Sequence, residues 1–436
     1  MADDPDFKPS TGRFSRFARL AGLGVRLSTE VMSKGVKKLA GSSEGLLGNI
    51  GAEKLVATLG EMKGLAMKLG QAMSMDPDQL PPEVRAVVAR LQNQAPAMPY
   101  ATVREVVRRE LGGTPEEKFA QFDDKPIASA SLGQVHRART HQGQDVAVKV
   151  QYPEIKKAML ADLANLGSMV TLVSRGVGMT EGQAYFGELR DELLKELDYR
   201  EEAARAREYA EAAKVASDLV VPEPVDALTA QKVLTLQLIE GETLKDVLGR
   251  IDEVPNAERF RISRLLIRAI WVPFLSSGCI HADPHPGNFI LMSDGRMAVL
   301  DFGSVKRLSP TWHDVNRRMF RMLLEAQPMD VVALCREAGF TITLKDAEAE
   351  PFIRATAEIA SRWMRSADFD FATADTTRLM RAHFLKHAFK IAQMRPPTEG
   401  LMFYRAQGGL IQDLQNLKAR GDFRSIYEEL AQCLPP

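Results

Sequence analysis

Cysteine is scarce in this sequence, with three residues among 436. Cys279, Cys335 and Cys433 lie far apart and form no C-x-x-C motif. An odd number of widely spaced cysteines argues against a disulfide framework and against a cysteine-rich zinc site. We therefore expect the reduced thiols of a cytoplasmic protein, each acting as a small hydrophobic side chain.

Net charge and long apolar runs are also missing. The 57 basic residues balance 57 acidic residues, so no overall positive charge indicates a nucleic-acid partner. The longest apolar stretches, 163–174 and 269–280, reach about a dozen residues, whereas a membrane-spanning helix needs about 20. Residues 1–7 contain three aspartates and nothing like the apolar core of a secretory signal. We expect a chain that does not span a membrane.

Positive charge is nevertheless concentrated near the start of the chain, in a segment that we bound at residues 1–45. Between Lys8 and Lys38 there are eight basic residues and one acidic residue, Glu30, interleaved with phenylalanine, leucine and valine. This pattern is typical of a basic amphipathic helix lying on anionic lipid. It is equally typical of a solvated helix packed on the body of the protein. Both interpretations stay open.

The rest of the chain predicts a helical extension, a small β-rich lobe and a helical lobe. Helix-forming composition dominates 46–120, and short β-branched runs appear at 126–150 and again at 232–241. A helical insertion is expected between these runs, from about residue 154 to 215. We therefore place the small lobe at 121–242 and the helical lobe at 243–436, with one loop and one hairpin as the only departures from helix after Thr243.

The densest polar motif is "HADPHPGNFILMSDGRMAVLDFGS", residues 281–304. His281 and His285 have the four-residue spacing that places two zinc ligands on one helical face. Pro284 and Pro286 predict a loop, where that spacing has no such geometry, so the zinc interpretation is disfavoured.

A phosphoryl-transfer site explains the motif better. Asp283 and Asn288 have the D-x-x-x-x-N spacing of a kinase catalytic loop, and Asp301, Phe302 and Gly303 spell the metal-binding D-F-G turn. The apolar runs 289–292 and 297–300, joined by Ser-Asp-Gly, predict a hairpin that returns Asp301 towards Asn288. We expect Asp283 to act as the base or to position water, and Asn288 and Asp301 to bind Mg²⁺.

Upstream motifs supply candidates for nucleotide binding. Lys149 in "VAVKV" occupies the place of the kinase lysine that contacts phosphates and pairs with a helical glutamate. Glu202 is our first choice for that glutamate and Glu196 the second. On a regular helix Asp198 and Glu202 would share a face, because they are four residues apart.

The loop before Lys149 departs from the usual glycine-rich template. The template G-x-G-x-x-G-x-V falls on Ala128, Ala130, Gly133 and Val135, so one glycine of three remains. Ser129 and Ser131 lie between these positions. Two methyl groups now stand where the backbone would approach phosphate oxygens closely.

Five stretches together resemble the UbiB or AarF-type atypical kinase family, which includes the kinase-like proteins that support coenzyme Q biosynthesis. They are "KLGQ" at 68–71, the alanine-containing loop at 128–136, "VAVKVQYP" at 146–153, "ELDYREEA" at 196–203 and "HADPHPGN" at 281–288. The resemblance runs from about Leu59 to Leu417, and the last stretch is highly specific. The charged C-terminal segment resembles that of the soluble, peripherally attached branch.

The resemblance implies an α+β, protein-kinase-like fold with two lobes and an added N-terminal helical extension. It also implies that Lys68, Gly70 and Gln71 form the K-x-G-Q motif of the extension, and that Lys68 faces Glu196, Asp198 or both. The implied ligands are ATP or ADP with Mg²⁺, and the implied partner is an isoprenoid or quinone-precursor lipid.

We therefore predict a magnesium-dependent, ATP-binding atypical kinase or ATPase that supports ubiquinone biosynthesis from the inner face of a membrane. A protein kinase is one alternative, but the lost glycines and the absence of an A-P-E triplet disfavour it. A nucleotide-gated lipid-binding scaffold without turnover is the other. The retained base, Asp283, argues against the scaffold, since a binding module has no use for it.

Overall fold

The structure is a computed structural model that describes residues 98–432, except 131, 158, 161–189, 191–193, 195, 326 and 392. The described residues fall into two units. The first unit holds those up to residue 201 together with 225–237, and the second holds 202–224 and everything from 238 onward. Residues 202–224, which the sequence analysis grouped with the small lobe, thus belong to the second unit.

An antiparallel four-stranded sheet forms the centre of the first unit, with strand order β1-β2-β3-β5. Its strands are β1 (Gln121–Ala130), β2 (Gly133–Arg139), β3 (Asp145–Gln151) and β5 (Val233–Gln237). On β3 the side chains of Val146, Val148 and Val150 are fully buried, and those of Ala147 and Lys149 on the other face are half-buried. This alternation is what the two-residue period of a strand requires.

Helices α1 (Tyr100–Leu111) and α2 (Pro115–Lys118) precede this sheet in the chain. Helix α1 buries Val103, Val106 and Val107, which share one face and join the same core as the valines of β3. It ends at Leu111 and is capped by Gly112, which has a φ of 70°. The predicted helical character of the extension is therefore confirmed for its described final part.

The second unit is mostly helical. Its helices are α3 (Tyr199–Ala213, which starts in the first unit), α4 (Leu244–Gly249), α5 (Asn256–Ser277), α6 (Pro310–Leu324), α7 (Val331–Glu337), α8 (Asp346–Ser361), α9 (Thr376–Lys386), α10 (Ala388–Ile391), α11 (Thr398–Leu417) and α12 (Phe423–Gln432). Helix α5 is the central one, and the apolar run that starts at Ala269 is buried in the core of the unit. Within the described part of the chain, no helix is long and apolar enough to cross a bilayer.

Short strands complete the second unit. They are β4 (Leu219–Val220), β6 (Glu242–Thr243), β7 (Cys279–His281), β8 (Phe289–Leu291), β9 (Met297–Val299), β10 (Val305–Arg307), β11 (Thr341–Ile342), β12 (Phe369–Asp370), β13 (Met394–Arg395) and β14 (Arg420–Gly421). Strand β11 pairs with β13 and β12 with β14, so the expectation of helix alone beyond the hairpin is wrong. Two-residue strands give no alternating pattern that a sequence could reveal.

Candidate active site

The predicted catalytic loop, called the catalytic loop below, follows β7 and lies beside the D-F-G turn. Strand β7 pairs antiparallel with β10, and the backbone N–H of Ala282 donates to the carbonyl of Ser304 at 3.1 Å. The loop and the turn therefore begin from adjacent strands. This pairing brings together two motifs that are about twenty positions apart in the sequence.

His281 is a buried residue that hydrogen-bonds to both the catalytic loop and the D-F-G turn. Its Nε2 donates to the carbonyl of Asp301 at 2.9 Å, and its Nδ1 accepts from the N–H of Asp283 at 3.4 Å. The side chain has no exposed surface. Both ring nitrogens thus hold the backbone of the two carboxylate-bearing segments, so His281 has a structural role here. His285 lies in the loop as well, where its Nδ1 accepts from the N–H of Gly287.

Asn288 closes the loop from the other side. Its Nδ2 donates to the carbonyl of Asp283 at 3.0 Å, and its own carbonyl accepts from the N–H of Leu300 at 2.7 Å. Strands β8 and β9 form the predicted hairpin, with Phe289 opposite Val299. Because Nδ2 donates to a backbone carbonyl, Oδ1 is the atom of this amide that can bind a cation.

Asp301 has an unusual backbone conformation. Among the described residues, Asp301 and Lys418 are the only ones other than glycine with positive φ, 58° and 51°. Aspartate tolerates this left-handed region better than most residues. Its Oδ1 accepts from the N–H of Gly303 at 3.2 Å. Conformations of this kind are concentrated at functional sites.

Helix α11 contributes a residue that the sequence analysis missed. The Nη2 of Arg405 donates to Oδ1 of Asp283 at 3.1 Å, and the two side chains are 20% and 14% exposed. One turn further, Gly409 lies against Pro284, since a Cβ at 409 would come within 2.4 Å of the proline Cγ. The helix therefore supports the catalytic loop directly. No sequence signal identified Arg405, because its partner is 122 positions away.

Asp413, another turn along α11, is a buried carboxyl group. It is 3% exposed, and its Oδ2 has no hydrogen-bond partner in the part of the chain that the structure describes. Burial raises the pKa of Asp413 well above its ordinary value, and the negative charge of Asp283 raises it further. Arg405, Gly409 and Asp413 are four apart, so they form one stripe beneath the loop.

The alanine-containing loop of the first unit is a tight hairpin. Ala128 pairs with Val135, Ser129 with Gln134 and Ala130 with Gly133. Ser131 lies outside the described residues. A Cβ on Gly133 would come within 2.1 Å of the carbonyl oxygen of Val150. The surviving glycine is therefore needed for the close approach of β2 to β3.

Lys149 lies on the central strand β3, opposite Val135 on one side and Leu234 on the other. Its Nζ stands 5.1 Å from the ring centroid of Tyr199, a cation–π contact with a side chain that is 1% exposed. Lys149 is half-buried. The alternative of an edge-strand lysine facing water is thereby wrong.

The acidic motif near residue 200 is only partly helical. Helix α3 begins at Tyr199, so Glu196 and Asp198 precede it, and the expected common helical face of Asp198 and Glu202 is wrong. Asp198 instead accepts from the N–H of Arg200 at 3.0 Å and pairs with its guanidinium at 2.6 Å, which lowers the pKa of Asp198. Glu202, on α3, is 5% exposed.

The K-x-G-Q motif, Lys68, Gly70 and Gln71, lies outside the described residues. The expected contact of Lys68 with Glu196 or Asp198 stays a prediction.

Comparison with known proteins gives a consistent result. Residues 90–335, more than half of the chain, match the ABC1 atypical kinase-like domain. Among curated proteins, the chain is 29% identical over 429 residues to the mitochondrial atypical kinase coq-8 of Caenorhabditis elegans, covering 94% of this chain and 54% of that protein. It is 27% identical over 438 residues to the mitochondrial atypical kinase COQ8B of Rattus norvegicus, covering 97% and 81%. The chain thus spans about half the length of the first of these relatives.

A solved structure also resembles this one. It is the complex of Rv3197 from Mycobacterium tuberculosis with erythromycin, with a TM-score of 0.61 and 28% sequence identity. The similarity covers 94% of this chain and 99% of the other.

Proposed function

This chain belongs to the ABC1 atypical kinase-like family, as the sequence resemblance predicted, and its fold is kinase-like; from that membership we propose a magnesium-dependent, ATP-binding kinase or ATPase. We further propose that it supports isoprenoid quinone biosynthesis and works at the surface of a membrane. The quinone component is supported only by the family resemblance. The phosphoryl-transfer component is supported by the site itself.

One observation carries the proposal: Asp283, Asn288 and Asp301 belong to a single hydrogen-bonded assembly around His281. The residues present fit Mg²⁺, which prefers oxygen ligands, because Asn288 Oδ1 and the Asp301 carboxylate are oxygen donors of the type it takes. When bound, the cation would neutralise the charge of the phosphates. Asp283 would orient the attacking hydroxyl or water and take up its proton.

The first unit would supply the contacts to the nucleotide. Lys149 would bind phosphate oxygens as a point charge, and its Nζ lies 5.1 Å from the ring centroid of Tyr199. From the sequence pattern, Glu202 stays the first choice for its carboxylate partner and Glu196 the second. The hairpin from Ala128 to Val135 would cover the phosphates with two side-chain methyl groups in place of glycines.

The acceptor is proposed to be small, lipid-like or water. Only residues 304–309 separate Gly303 from helix α6, and β10 uses three of them to pair with β7. A protein kinase docks its peptide substrate along a long segment at this point of the chain. This short connection disfavours the protein-kinase alternative. The scaffold alternative is left to experiment.

Two matched substitutions test the assignment. Asp301→Asn should abolish most magnesium-dependent affinity for ATP and ADP, because the phosphate charge would be uncompensated. Asparagine also tolerates positive φ, so the backbone of the turn should survive. Asp283→Asn should retain nucleotide binding and lose about 10²- to 10⁴-fold in turnover, the usual contribution of a general base.

The measurements are calorimetric titration with magnesium and nucleotide, and phosphate release with and without anionic liposomes. Equal loss of binding in both variants would show that the two roles are misassigned. Tight nucleotide binding by the unsubstituted protein with no phosphate release and no phosphorylated lipid would favour the scaffold.

A further inference from the structure

Helices α9 and α10 expose large apolar side chains. Phe389 is 80% exposed, Leu385 70%, Phe384 40% and Ile391 36%. We define these four residues as the α9–α10 surface. They lie within eight positions of one another, whereas exposed apolar side chains on a soluble protein are usually scattered singly.

The exposure does not come from a loosely attached helix. The ring of His383 stacks on Phe352 of α8, with centroids 5.0 Å apart and planes 10° apart, and His387 packs on the same phenylalanine at 5.6 Å. Thr356 Oγ1 lies 3.0 Å from His383 Nε2. One face of α9 is therefore used to hold the helix on α8. Phe384 and Leu385, next in the chain, are 40% and 70% exposed.

Basic residues predominate in the stretch of sequence that carries these apolar side chains. Residues 375–395 contain five cations and a single acid, Asp375, and that acid pairs with Arg378 at 2.6 Å. The cations are Arg378, Arg381, Lys386, Lys390 and Arg395. Exposed phenylalanine and leucine among lysine and arginine are the composition of helices that lie in the interface of an anionic bilayer.

We propose that the α9–α10 surface docks the second unit on an anionic lipid bilayer. Phe384, Leu385, Phe389 and Ile391 would enter the boundary between headgroups and acyl chains. The neighbouring lysines and arginines would meet the negative headgroups. This inference rests on the membrane-surface component of the proposed function and identifies where the protein makes that contact.

Charge decides against two other occupants. A second copy of the chain would present the same basic surface, and like charges across a symmetric contact repel. The segment from Lys8 to Lys38 is basic as well, with eight cations against one acid, so it is a poor cover for this surface. An anionic bilayer supplies both the apolar layer and the opposite charge.

Flotation of the full-length protein with vesicles tests the proposal. Vesicles of phosphatidylcholine with phosphatidylglycerol should bind the protein, and vesicles of phosphatidylcholine alone should bind it less. Leu385→Ser/Phe389→Ser should lower the partition coefficient on the mixed vesicles by at least about tenfold, since two of the inserted side chains are lost. Arg381→Gln/Lys386→Gln should weaken binding less and reduce its dependence on salt.

Ile127→Ser/Val215→Ser is the matched control. These two apolar side chains are 53% and 66% exposed, and both lie outside α9 and α10. The control should float like the unsubstituted protein. Circular dichroism establishes that every variant is folded.

Three outcomes would overturn the proposal. They are failure of the unsubstituted protein to bind the mixed vesicles, equal loss in the control and the surface variant, and unchanged flotation of the surface variant. Deletion of residues 8–39 gives a further arm: if it alone abolishes binding, the membrane contact lies in the N-terminal segment.

The same proteins should be titrated with magnesium and nucleotide in the absence of lipid. If flotation depends on the α9–α10 surface but the unsubstituted protein binds no nucleotide, the docking surface stands and the proposed phosphoryl-transfer function fails. If nucleotide binds normally and Leu385→Ser/Phe389→Ser floats like the unsubstituted protein, only the docking proposal fails.

Discussion

The hairpin of the first unit and the catalytic loop of the second are held in place by different kinds of contact. Backbone pairing positions the hairpin, with Ala130 opposite Gly133 and Gly133 pressed against the carbonyl of Val150. Side chains position the catalytic loop, since the ring of His281 hydrogen-bonds to the backbone of Asp283 and Asp301 and Arg405 hydrogen-bonds to the Asp283 carboxylate. The partners of the hairpin are close in sequence, whereas Arg405 is 122 positions from Asp283.

This difference indicates how each region should respond to change. A site positioned by backbone pairing should tolerate side-chain substitutions but should lose stability when the space between strands is filled. A site positioned by side chains from a distant helix should lose rate before it loses stability, because the fold of the helix does not depend on the contact. The following substitutions test these expectations.

The largest effect should follow Gly133→Ala. The new Cβ would stand 2.1 Å from the carbonyl oxygen of Val150, and neither strand can move without disturbing the sheet. We expect the free energy of unfolding to fall by about 3 kcal/mol, the upper part of the usual range for overpacking. Urea unfolding measures it. Gly249→Ala is the control, since a methyl group there meets nothing within 4 Å. Equal stability of both variants would disprove the close approach.

Arg405→Gln should have an intermediate effect, on rate. The carboxylate of Asp283 would lose the guanidinium that fixes its orientation, so turnover should fall by about 10- to 100-fold with nucleotide affinity unchanged. Phosphate release and calorimetry separate the two quantities. Arg424→Gln, which breaks the exposed pair with Glu428 on α12, should change neither. Parallel losses of affinity and rate in Arg405→Gln would mean that Arg405 supports the whole unit.

Asp413→Asn should have the smallest effect, a change in the pH dependence of stability. Burial, and then the charge of Asp283, raise the pKa of Asp413 in the folded protein above the ordinary 3.8. At pH values above 3.8 and below the raised pKa of the folded protein, the unfolded chain has lost the proton that the folded chain keeps. The free energy of unfolding therefore falls as pH rises through this range. The asparagine variant stays neutral and should lack this component, which amounts to at most about 1.4 kcal/mol per pH unit.

Urea unfolding of both proteins at a series of pH values upward from about 4 measures this slope. Asp314→Asn, at a side chain that is 63% exposed, provides the comparison. Identical pH profiles for Asp413→Asn and the unsubstituted protein would show that Asp413 is ionised in the fold.

Local sequence patterns predicted several features correctly. The strand that carries Lys149 and the hairpin after Asn288 were predicted, because β-branched runs and a Ser-Asp-Gly turn act over a few residues. The kinase-like fold was predicted from the family resemblance. The loop around Pro284 and Pro286 was predicted for the same reason, since proline acts on its own backbone.

Other features were predicted wrongly or missed. Glu196 and Asp198 were placed on a helix because acidic and alanine-rich sequence favours one, yet α3 starts at Tyr199 and Asp198 binds Arg200 just inside it. The paired strands β11–β13 and β12–β14 are two residues each, too short for a periodic signal. Arg405 looked like any other helical arginine.

The sequence by itself determined which chemical groups are available, because Asp283, Asn288 and Asp301 occur at fixed spacings in a motif whose local turns follow from proline and glycine. The tertiary structure decided what holds those groups. His281 became a structural residue only when β7 and β10 paired, and Arg405, Gly409 and Asp413 became a support for the loop only when α11 packed beneath it. Local conformation depends on neighbouring residues, whereas contacts across a hundred positions depend on how the whole unit packs.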